Sequence, residues 1–272
     1  MIEPIDGDLH GKLALVTGGN AGIGKEVARD LARLGAEVVL GCRSPERGEA
    51  AREEIGKSVP GARLRVEHVD LSNQHSIRTF ADRLLREVPA VDVLVNNAGI
   101  WAERKAKSPD GIELTFATNV LGYFLLTELL RPRLGGTARI VNVASAYAHG
   151  LELDDVEFER RPWSAAAAYA QSKQANRMWT WALARRLAGS GVTANAMHPG
   201  AVSTQLLRKG FGMSGRSPEQ GADTASWLCA DRSVGGVTGR FFMDRHERVC
   251  EFRDEAKEDA LWALCERMTR SA

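Results

Sequence analysis

Short apolar runs alternate with helical patterns along most of the chain. Seven runs predict strands, namely Lys12–Val16, Glu37–Gly41, Arg63–Val69, Val91–Val95, Arg139–Val143, Gly191–Met197 and Arg240–Met243. Apolar residues recur at helical spacing after the first run, near 45–58, 73–87, 110–131, 168–188 and 218–230, and in a final amphipathic segment near 254–268. Strands that alternate with helices in this way predict a parallel, doubly wound sheet with helices on both faces.

The pattern fits one α/β domain. No linker, internal repeat or low-complexity tract interrupts residues 12–272, and residues 1–11 resemble a loose N-terminal extension. A chain of 272 residues is long for one domain, but α/β folds of this size can have a single continuous core. We therefore expect one domain around a seven-stranded parallel sheet.

Composition narrows the class of function. A hydrophobic content of 44% and a charged content of 26% are typical of soluble globular proteins. A net charge of +1 without a long basic run argues against binding nucleic acid or a membrane surface. No apolar stretch approaches the ~20 residues that span a bilayer, and no signal peptide opens the chain. The four Cys and six His show no metal-ligand spacing, so we expect reduced thiols, no metal site and a cytoplasmic location.

A glycine-rich turn follows the first predicted strand. Residues 17–24 read Thr-Gly-Gly-Asn-Ala-Gly-Ile-Gly, and a helical pattern then runs to a stop at Gly35. Glycines let the backbone approach a pyrophosphate, and a helix N-terminus offers free N–H groups and a favourable dipole. Strand, turn and helix in this order predict dinucleotide binding in a Rossmann-type fold.

Tyr169 and Lys173 are the first candidates for chemistry. Residues four apart lie on one face of a helix, so the phenol and the ammonium can share a site. A free Tyr titrates near pH ~10, and a nearby cation would lower that pKa towards the working range of an acid–base catalyst. Taken alone, the pair is better explained as an ordinary surface contact, so the catalytic interpretation depends on the other motifs.

Further motifs, in order, resemble those of the short-chain dehydrogenase/reductase family from about residue 12 to residue 243. They are Thr17–Gly24, Asp70 after the third strand, Asn96–Gly99 after the fourth, Asn119, Ser145 after the fifth, the Tyr169/Lys173 pair and Pro199–Thr204. The resemblance implies an oxidoreductase with the catalytic residues Asn119, Ser145, Tyr169 and Lys173. It implies that the cofactor contacts Gly18, Asn20, Gly22, Ile23, Gly24, Asp70, Leu71, Asn97, Ala98, Gly99, Tyr169, Lys173, Pro199, Gly200, Val202 and Thr204.

The resemblance also implies a mechanism. Hydride moves between the nicotinamide and a substrate carbon while a proton moves between the substrate oxygen and Tyr169. Ser145 would donate a hydrogen bond to the developing alkoxide, and Asn119 would position a water that links Lys173 to solvent.

The end of the second strand predicts the choice of cofactor. An acidic residue there would bind the ribose of NAD and repel a 2′-phosphate, but this chain has Cys42 followed by Arg43, with Arg47 one turn on. A guanidinium suits a phosphate dianion, so we expect NADP(H) rather than NAD(H). The alternative is that Arg43 only lies beside the adenine.

Several details resemble the retinol-dehydrogenase-like branch of the family. These are Cys42-Arg43, the segment around Asn119, His198-Pro199-Gly200 and the long spacing from Ser145 to Tyr169. The chain differs from membrane-bound members by lacking an N-terminal apolar anchor, and its Ala- and Arg-rich composition is typical of a high-GC bacterium. We therefore expect a soluble enzyme acting on a fairly apolar small molecule, with retinoids in doubt.

Other expectations concern the rest of the site. Leu151, Leu153, Phe158 and Trp163 could wall a substrate pocket or simply cover the sheet, and His198 is given no chemistry. Residues 205–217, rich in glycine and including Phe211 and Met213, suggest a lid without stable regular structure.

Three questions stay open from the sequence. Trp179 or Trp181 could mark a subunit contact in a homodimer or homotetramer. A non-catalytic NADP(H) sensor or scaffold remains an alternative function. So does an epimerase or dehydratase that uses the same Tyr–Lys pair.

Overall fold

In a computed structural model, residues 3–212 and 214–270 are described, and the side chain of Phe211 is not. The strands are β1 (Leu13–Thr17), β2 (Glu37–Cys42), β3 (Arg63–His68), β4 (Val93–Asn96), β5 (Arg139–Val143), β6 (Thr193–His198), β7 (Phe241–Met243) and β8 (His246–Glu247). The long helices are α1 (Gly22–Arg33), α2 (Pro45–Ser58), α3 (Gln74–Glu87), α5 (Gly122–Leu130), α6 (Ala165–Arg186), α8 (Pro218–Ala230) and α9 (Glu255–Thr269). The shorter ones are α4 (Leu114–Phe116) and α7 (Gln205–Phe211).

The strands form one sheet in the order β3-β2-β1-β4-β5-β6-β7-β8. All neighbours are parallel except β7 and β8. Because the chain order reverses between β1 and β4, a crevice opens there at the carboxyl ends of the strands, where doubly wound folds bind ligands. The predicted fold class is confirmed.

The eighth strand corrects the predicted count of seven. A two-residue turn at Asp244 and Arg245 joins it to β7, and both turn residues have positive φ, 52° and 58°. Such hairpin turns favour Asn-Gly or Asp-Gly. The Asp-Arg sequence gave no such signal.

Helices cover both faces of the sheet. One buried cluster joins it to α1, α2 and α8, and a larger one joins it to α3, α5, α6 and α9. Side-chain caps fix several helix starts, because Ser44, Asn73, Ser164 and Ser217 each accept a backbone N–H of the first turn. Burial on both faces explains why the strands read as apolar runs rather than as alternating patterns.

Trp179 and Trp181 are both buried within this chain, at 1% and 2% exposure. Phe124 of α5 contacts Trp179 and also Trp262 of α9, with ring centroids 6.2 Å and 4.9 Å apart. The idea that one tryptophan marks a subunit contact is therefore wrong. Both belong to the core that α9 helps to close.

The N-terminal segment packs against the domain. Leu9 is buried and its N–H bonds the carbonyl of Leu34, 2.8 Å away. The Asp6 carbonyl accepts the Arg232 N–H at 2.9 Å, and a Cβ on Gly7 would lie 2.4 Å from the Ala230 oxygen. The described part of the extension, from residue 3, is therefore not loose.

Candidate active site

A cavity of about 1110 Å³ opens at the carboxyl ends of β1, β4, β5 and β6. The predicted residues that line it are Gly18, Asn20, Gly22, Ile23, Arg43, Arg47, Asp70, Leu71, Asn97, Ala98, Gly99, Ser145, Tyr169, Lys173, Pro199, Gly200, Val202 and Thr204. Gly24 and Asn119 are not among the lining residues. The fold thus brings together residues that lie far apart in sequence.

The glycine-rich turn has the geometry of an anion cradle. Gly18 and Gly22 have φ of 68° and 54°, a region that side chains disfavour. The cap residue of α1, Ala21, offers no side-chain bond, so the first N–H groups of α1 lack the cap that other helices have. Gly24 acts differently, since a Cβ there would lie 2.4 Å from Nδ2 of Asn97 and 2.5 Å from the Gly18 oxygen. Its role is close packing beneath the turn.

Asn97 ties the turn to β4. Its side-chain Nδ2 donates to the Thr17 carbonyl at 2.8 Å, and its backbone N–H donates to the Thr17 hydroxyl at 2.9 Å. The neighbouring Asn96 donates to Asn142 and Thr127 within the core. Both asparagines therefore satisfy polar groups of adjacent strands, and Asn97 also lines the cavity.

Arg43 and Arg47 form one end of the cavity. Both are exposed, and neither forms an ion pair with a described residue. Asp70 also lines the cavity, and one of its carboxylate oxygens accepts the backbone N–H and the hydroxyl of Ser72 at 2.9 and 2.7 Å. This end presents two free guanidinium groups beside a carboxylate whose position is fixed.

Tyr169, Ser145 and Lys173 meet at the other end. All three are buried, at 7%, 7% and 3% exposure, yet all line the cavity. The Lys173 Nζ donates to the Val143 carbonyl at 2.8 Å and lies 5.6 Å from the centroid of the Tyr169 ring. Tyr169 and Ser145 share a side-chain hydrogen bond. Helix α6 and the end of β5 therefore hold the phenol, the hydroxyl and the ammonium in one group.

Burial dominates the electrostatics of this group. It raises the pKa of Tyr169 to about 12, against a smaller lowering by the hydrogen bond with Ser145. It also lowers the pKa of Lys173 to about 7. Burial rather than Lys173 is the main influence on the pKa of Tyr169 here, so the phenol holds its proton at neutral pH and the ammonium can release one near neutrality, while the expected lowering by Lys173 stays a prediction.

Asn119 lies in a π-helical turn, Ala117–Leu121, between α4 and α5. Its Nδ2 donates to the Ile100 carbonyl and to the Ser172 hydroxyl, both at 3.1 Å, while its Oδ1 accepts the Ile100 N–H at 2.9 Å. These bonds fix the side chain between the β4 loop and α6. π-Turns of this kind often occur at functional sites because they distort the regular ladder of backbone bonds.

The predicted lid is partly regular. Helix α7 begins at Gln205, because the Thr204 hydroxyl caps it by accepting the Leu207 N–H at 3.3 Å. The expectation of no stable element is therefore wrong for Gln205–Phe211, although Met213 lies outside the described residues. The Ser203 N–H donates to the Arg216 carbonyl, and the Arg216 N–H donates to the Ala201 carbonyl. These two backbone bonds close the base of the segment. The segment predicted to be a lid is thus a short helix on a fixed base, and its closure over the cavity stays a prediction.

Trp101 is the main residue that sequence reasoning missed. Its ring centroid lies 5.3 Å from that of Tyr169, and a Cβ on Gly210 would lie 2.8 Å from the indole. On the same loop, Glu103 pairs with Lys209 of the lid at 2.9 Å. Trp101 follows the Asn96–Gly99 motif by two residues, and this position was the only available signal. It lies between the phenol and α7.

The loop between Ser145 and α6 does not wall the cavity. Phe158 is buried at 3% exposure, Leu151 and Leu153 pack against the larger core cluster, and none of these lines the cavity. Trp163 donates to Glu113 at 3.3 Å and does not line it either. Of the two roles considered, the loop covers the core, and only Ala146 and Tyr147 of it face the cavity.

His198 also lines the cavity, a role not expected from the sequence. Burial, with the charges of Arg177 and Arg216, lowers its pKa to about 4, so the ring is neutral at pH 7. Within residues 3–212 and 214–270, no group of three or more His, Cys, Asp and Glu side chains could hold a metal ion. Over the same residues, every helix is too short or too polar to cross a membrane.

Comparisons with known proteins agree with this geometry. The family model described as short chain dehydrogenase matches residues 12–213. Human retinol dehydrogenase 13 is 37% identical over 286 residues, covering 97% of this chain and 86% of that protein. Mouse retinol dehydrogenase 12 is 39% identical, covering 95% and 86%.

Solved structures give the same result. An uncharacterised protein from Mycobacterium paratuberculosis has a TM-score of 0.81 and 34% identity, covering 97% of this chain and 95% of its own. A short-chain dehydrogenase from Burkholderia cenocepacia, solved in complex with NADP, has a TM-score of 0.71 and 28% identity, covering 86% and 96%.

Proposed function

The chain belongs to the short-chain dehydrogenase/reductase family, and we propose that it is an NADP(H)-dependent oxidoreductase. Its reaction would interconvert a carbonyl and an alcohol on a fairly apolar small molecule. The observation that carries the proposal is the buried group of Tyr169, Ser145 and Lys173, which faces the same cavity as the glycine-rich turn. An acid–base group beside a dinucleotide cradle is the arrangement that hydride transfer needs.

The residues of the cavity fit NADP(H). Backbone N–H groups around Gly18 and Gly22 would hold the pyrophosphate, and Arg43 with Arg47 would hold the 2′-phosphate as charge-assisted donors. Asp70 would lie at the adenine, and residues 199–204 would lie beside the nicotinamide. The structures of relatives that contain NADP or NADPH support this choice.

When bound, the nicotinamide supplies or accepts the hydride. Tyr169 then exchanges a proton with the substrate oxygen, and its pKa of about 12 keeps it in the donating form at neutral pH. Ser145 donates a hydrogen bond where negative charge develops. Lys173 has a pKa of about 7 and can pass a proton towards Tyr169. The Asn119 side chain is held by bonds to Ile100 and Ser172, and we propose that Asn119 positions a water that links Lys173 to solvent.

The substrate end favours an apolar molecule. Trp101, whose ring centroid lies 5.3 Å from that of Tyr169, lines the cavity together with Tyr147, Leu206 and Leu207, and the charged lid residues that line it are Arg208 and Lys209. Such a wall contacts hydrocarbon and leaves few polar groups to orient the rest of the substrate. The four described cysteines are free and buried, in keeping with the cytoplasmic location that we propose.

A substrate screen tests the proposal. Purified protein is incubated with ketones, aldehydes and alcohols together with NADPH, NADP⁺, NADH or NAD⁺, and the absorbance of reduced nicotinamide is followed. We expect turnover with at least one apolar carbonyl or alcohol and a preference for the phosphorylated cofactor. NADPH binding without turnover of any compound would favour a sensor, whereas isomerised or dehydrated products without net cofactor turnover would favour an epimerase or dehydratase.

A further inference from the structure

Arg177 is a buried cation one helical turn beyond Lys173 on α6. Its exposure is 4%, and none of the ion pairs among described residues includes it. Buried arginines usually face a carboxylate, because an unpaired charge removed from water is costly. Arg177 has other partners in place of a carboxylate, and these contacts indicate its role.

Those contacts come from three parts of the chain. The Nη2 of Arg177 donates to the main-chain carbonyl of Ser145. Its Nη1 lies 3.6 Å from the sulfur of Cys250, and its Cζ lies 3.9 Å from the centroid of the Phe241 ring. Phe252 adds a second ring, with its centroid 5.4 Å from Cζ. Aromatic faces attract the cation and leave the carbonyl of Ser145 as its strongest acceptor.

Ser145 is the point at which the chain leaves β5. The strand ends at Val143, and the Ser145 hydroxyl accepts the N–H of Tyr147 at 3.0 Å as the backbone turns away. No other described side chain donates a hydrogen bond to the carbonyl of Ser145. The orientation of that peptide determines where the Ser145 hydroxyl points, and the guanidinium holds it from behind the cavity.

We propose that Arg177 is a positioning residue that holds the Ser145 backbone so that its hydroxyl faces Tyr169 and the substrate oxygen. The inference rests on the proposed function, in which Ser145 stabilises the developing alkoxide. Arg177 itself does not line the cavity, so its effect on the reaction passes through Ser145. A displacement of a catalytic group by about 1 Å can reduce turnover on the order of a hundredfold.

A double-mutant cycle tests this role. We expect Arg177→Met, which keeps an unbranched apolar stem, to lower kcat on the order of tenfold to a hundredfold and to leave NADPH affinity unchanged. In the Ser145→Ala background, the same change should lower kcat by less than twofold further, because the hydroxyl to be positioned is gone. Arg177→Lys should recover part of the loss, since an ammonium can still reach the carbonyl.

Arg185→Met is the matched control on the same helix. Arg185 pairs with the buried Glu258 and with the exposed Asp259, away from the cavity, so its loss should lower thermal stability without changing kcat. Hydrogen exchange of the cofactor-free protein gives a readout apart from activity. The amides of residues 145–147 should exchange faster in Arg177→Met but not in Arg185→Met.

The outcomes separate the two proposals. Wild-type turnover in Ser145→Ala would overturn the assigned role of Ser145 and with it the inference. Ser145→Ala could be impaired while Arg177→Met lowers kcat by the same factor in the wild-type and in the Ser145→Ala background. That result would overturn the positioning role and leave the proposed function standing. Should Arg177→Met not fold, Arg177→Lys replaces it in the same cycle, and independent losses would again overturn the role.

Discussion

The two ends of the cavity use charge in opposite ways. At one end, Arg43 and Arg47 are exposed and form no ion pairs with described residues. At the other, Tyr169 and Lys173 are buried, and their pKa values move to about 12 and about 7. Exposed charges are accessible to an incoming ligand, whereas the protonation state of the buried groups is set by the protein. Under the proposed function, the exposed arginines form a recognition end of the cavity, and Tyr169 with Lys173 forms a reaction end.

The largest effect should come from the reaction end. Tyr169→Phe keeps the ring beside Trp101 but removes the exchangeable proton, so we expect turnover to fall by roughly a hundredfold or more. NADPH affinity, measured by fluorescence titration, should stay within a few-fold because the recognition end is untouched. Near-wild-type turnover in this variant would contradict the division between the two ends.

The buried lysine should also appear in the pH dependence of stability. The folded-state pKa of Lys173 is about 7, below its ordinary value of 10.5, so the unfolded chain binds more protons between these values. The free energy of unfolding is therefore highest, as far as Lys173 is concerned, above about pH 10.5. It decreases as pH falls towards 7, by about 1.4 kcal/mol per pH unit. Urea unfolding of cofactor-free wild type and Lys173→Met at pH 7.5 and 9.5 measures this slope. Parallel curves for the two proteins would mean that Lys173 titrates normally when folded.

The recognition end should respond in affinity alone. Arg43→Ala removes a charge-assisted bond to the 2′-phosphate worth roughly 1.5–3 kcal/mol, or about ten- to a hundredfold in the Kd of NADPH. The Kd of NADH should change far less because NADH has no phosphate there, and kcat at saturating cofactor should be retained. Equal losses for both cofactors would show that Arg43 only packs on the adenine.

The smallest effect concerns α7, which lies beside the reaction end. We expect the amides of residues 205–212 to exchange several-fold more slowly when NADP(H) and a substrate or inhibitor bind, because the helix then excludes water. Gly210→Ala places a methyl group about 2.8 Å from the Trp101 ring and should reduce this protection. Gly56→Ala, a helical change with no atom within 4 Å, is the control. Equal exchange in the free and ternary states would overturn the lid.

The sequence predicted the glycine-rich turn at the recognition end well, because backbone geometry defines that turn. Gly18 and Gly22 are needed for their positive φ, and Gly24 for a close approach, so the spacing of glycines carries the structure. Helix α2 was predicted at its observed limits because Ser44 and Pro45 mark its start. Local chemistry fixes these elements before any tertiary contact forms.

At the reaction end, the sequence predicted which residues come together, but it did not predict their burial, their pKa values or their contacts. The pKa of Tyr169 depends on burial by β5, α6 and the β4 loop, which no local pattern reports. Trp101 and Gly210 meet across two loops, and α7 forms although glycine disfavours helices. The sequence did not predict β8, because the turn before it consists of Asp244 and Arg245, two residues that do not usually adopt the positive φ seen here. The features that the sequence did not predict are those that depend on tertiary contacts between distant parts of the chain.

Deuterium transfer tests the central claim most directly. NADPH carrying deuterium at the transferable position is incubated with the wild-type protein and a ketone that it reduces, and the product is analysed by mass spectrometry and NMR. Transfer by hydride predicts one deuterium on the new carbinol carbon, in one configuration, with one NADP⁺ formed per alcohol. Product without deuterium, or deuterium lost to solvent, would contradict direct hydride transfer between the nicotinamide and the substrate carbon, and with it the proposed assignment of this cavity as an oxidoreductase site.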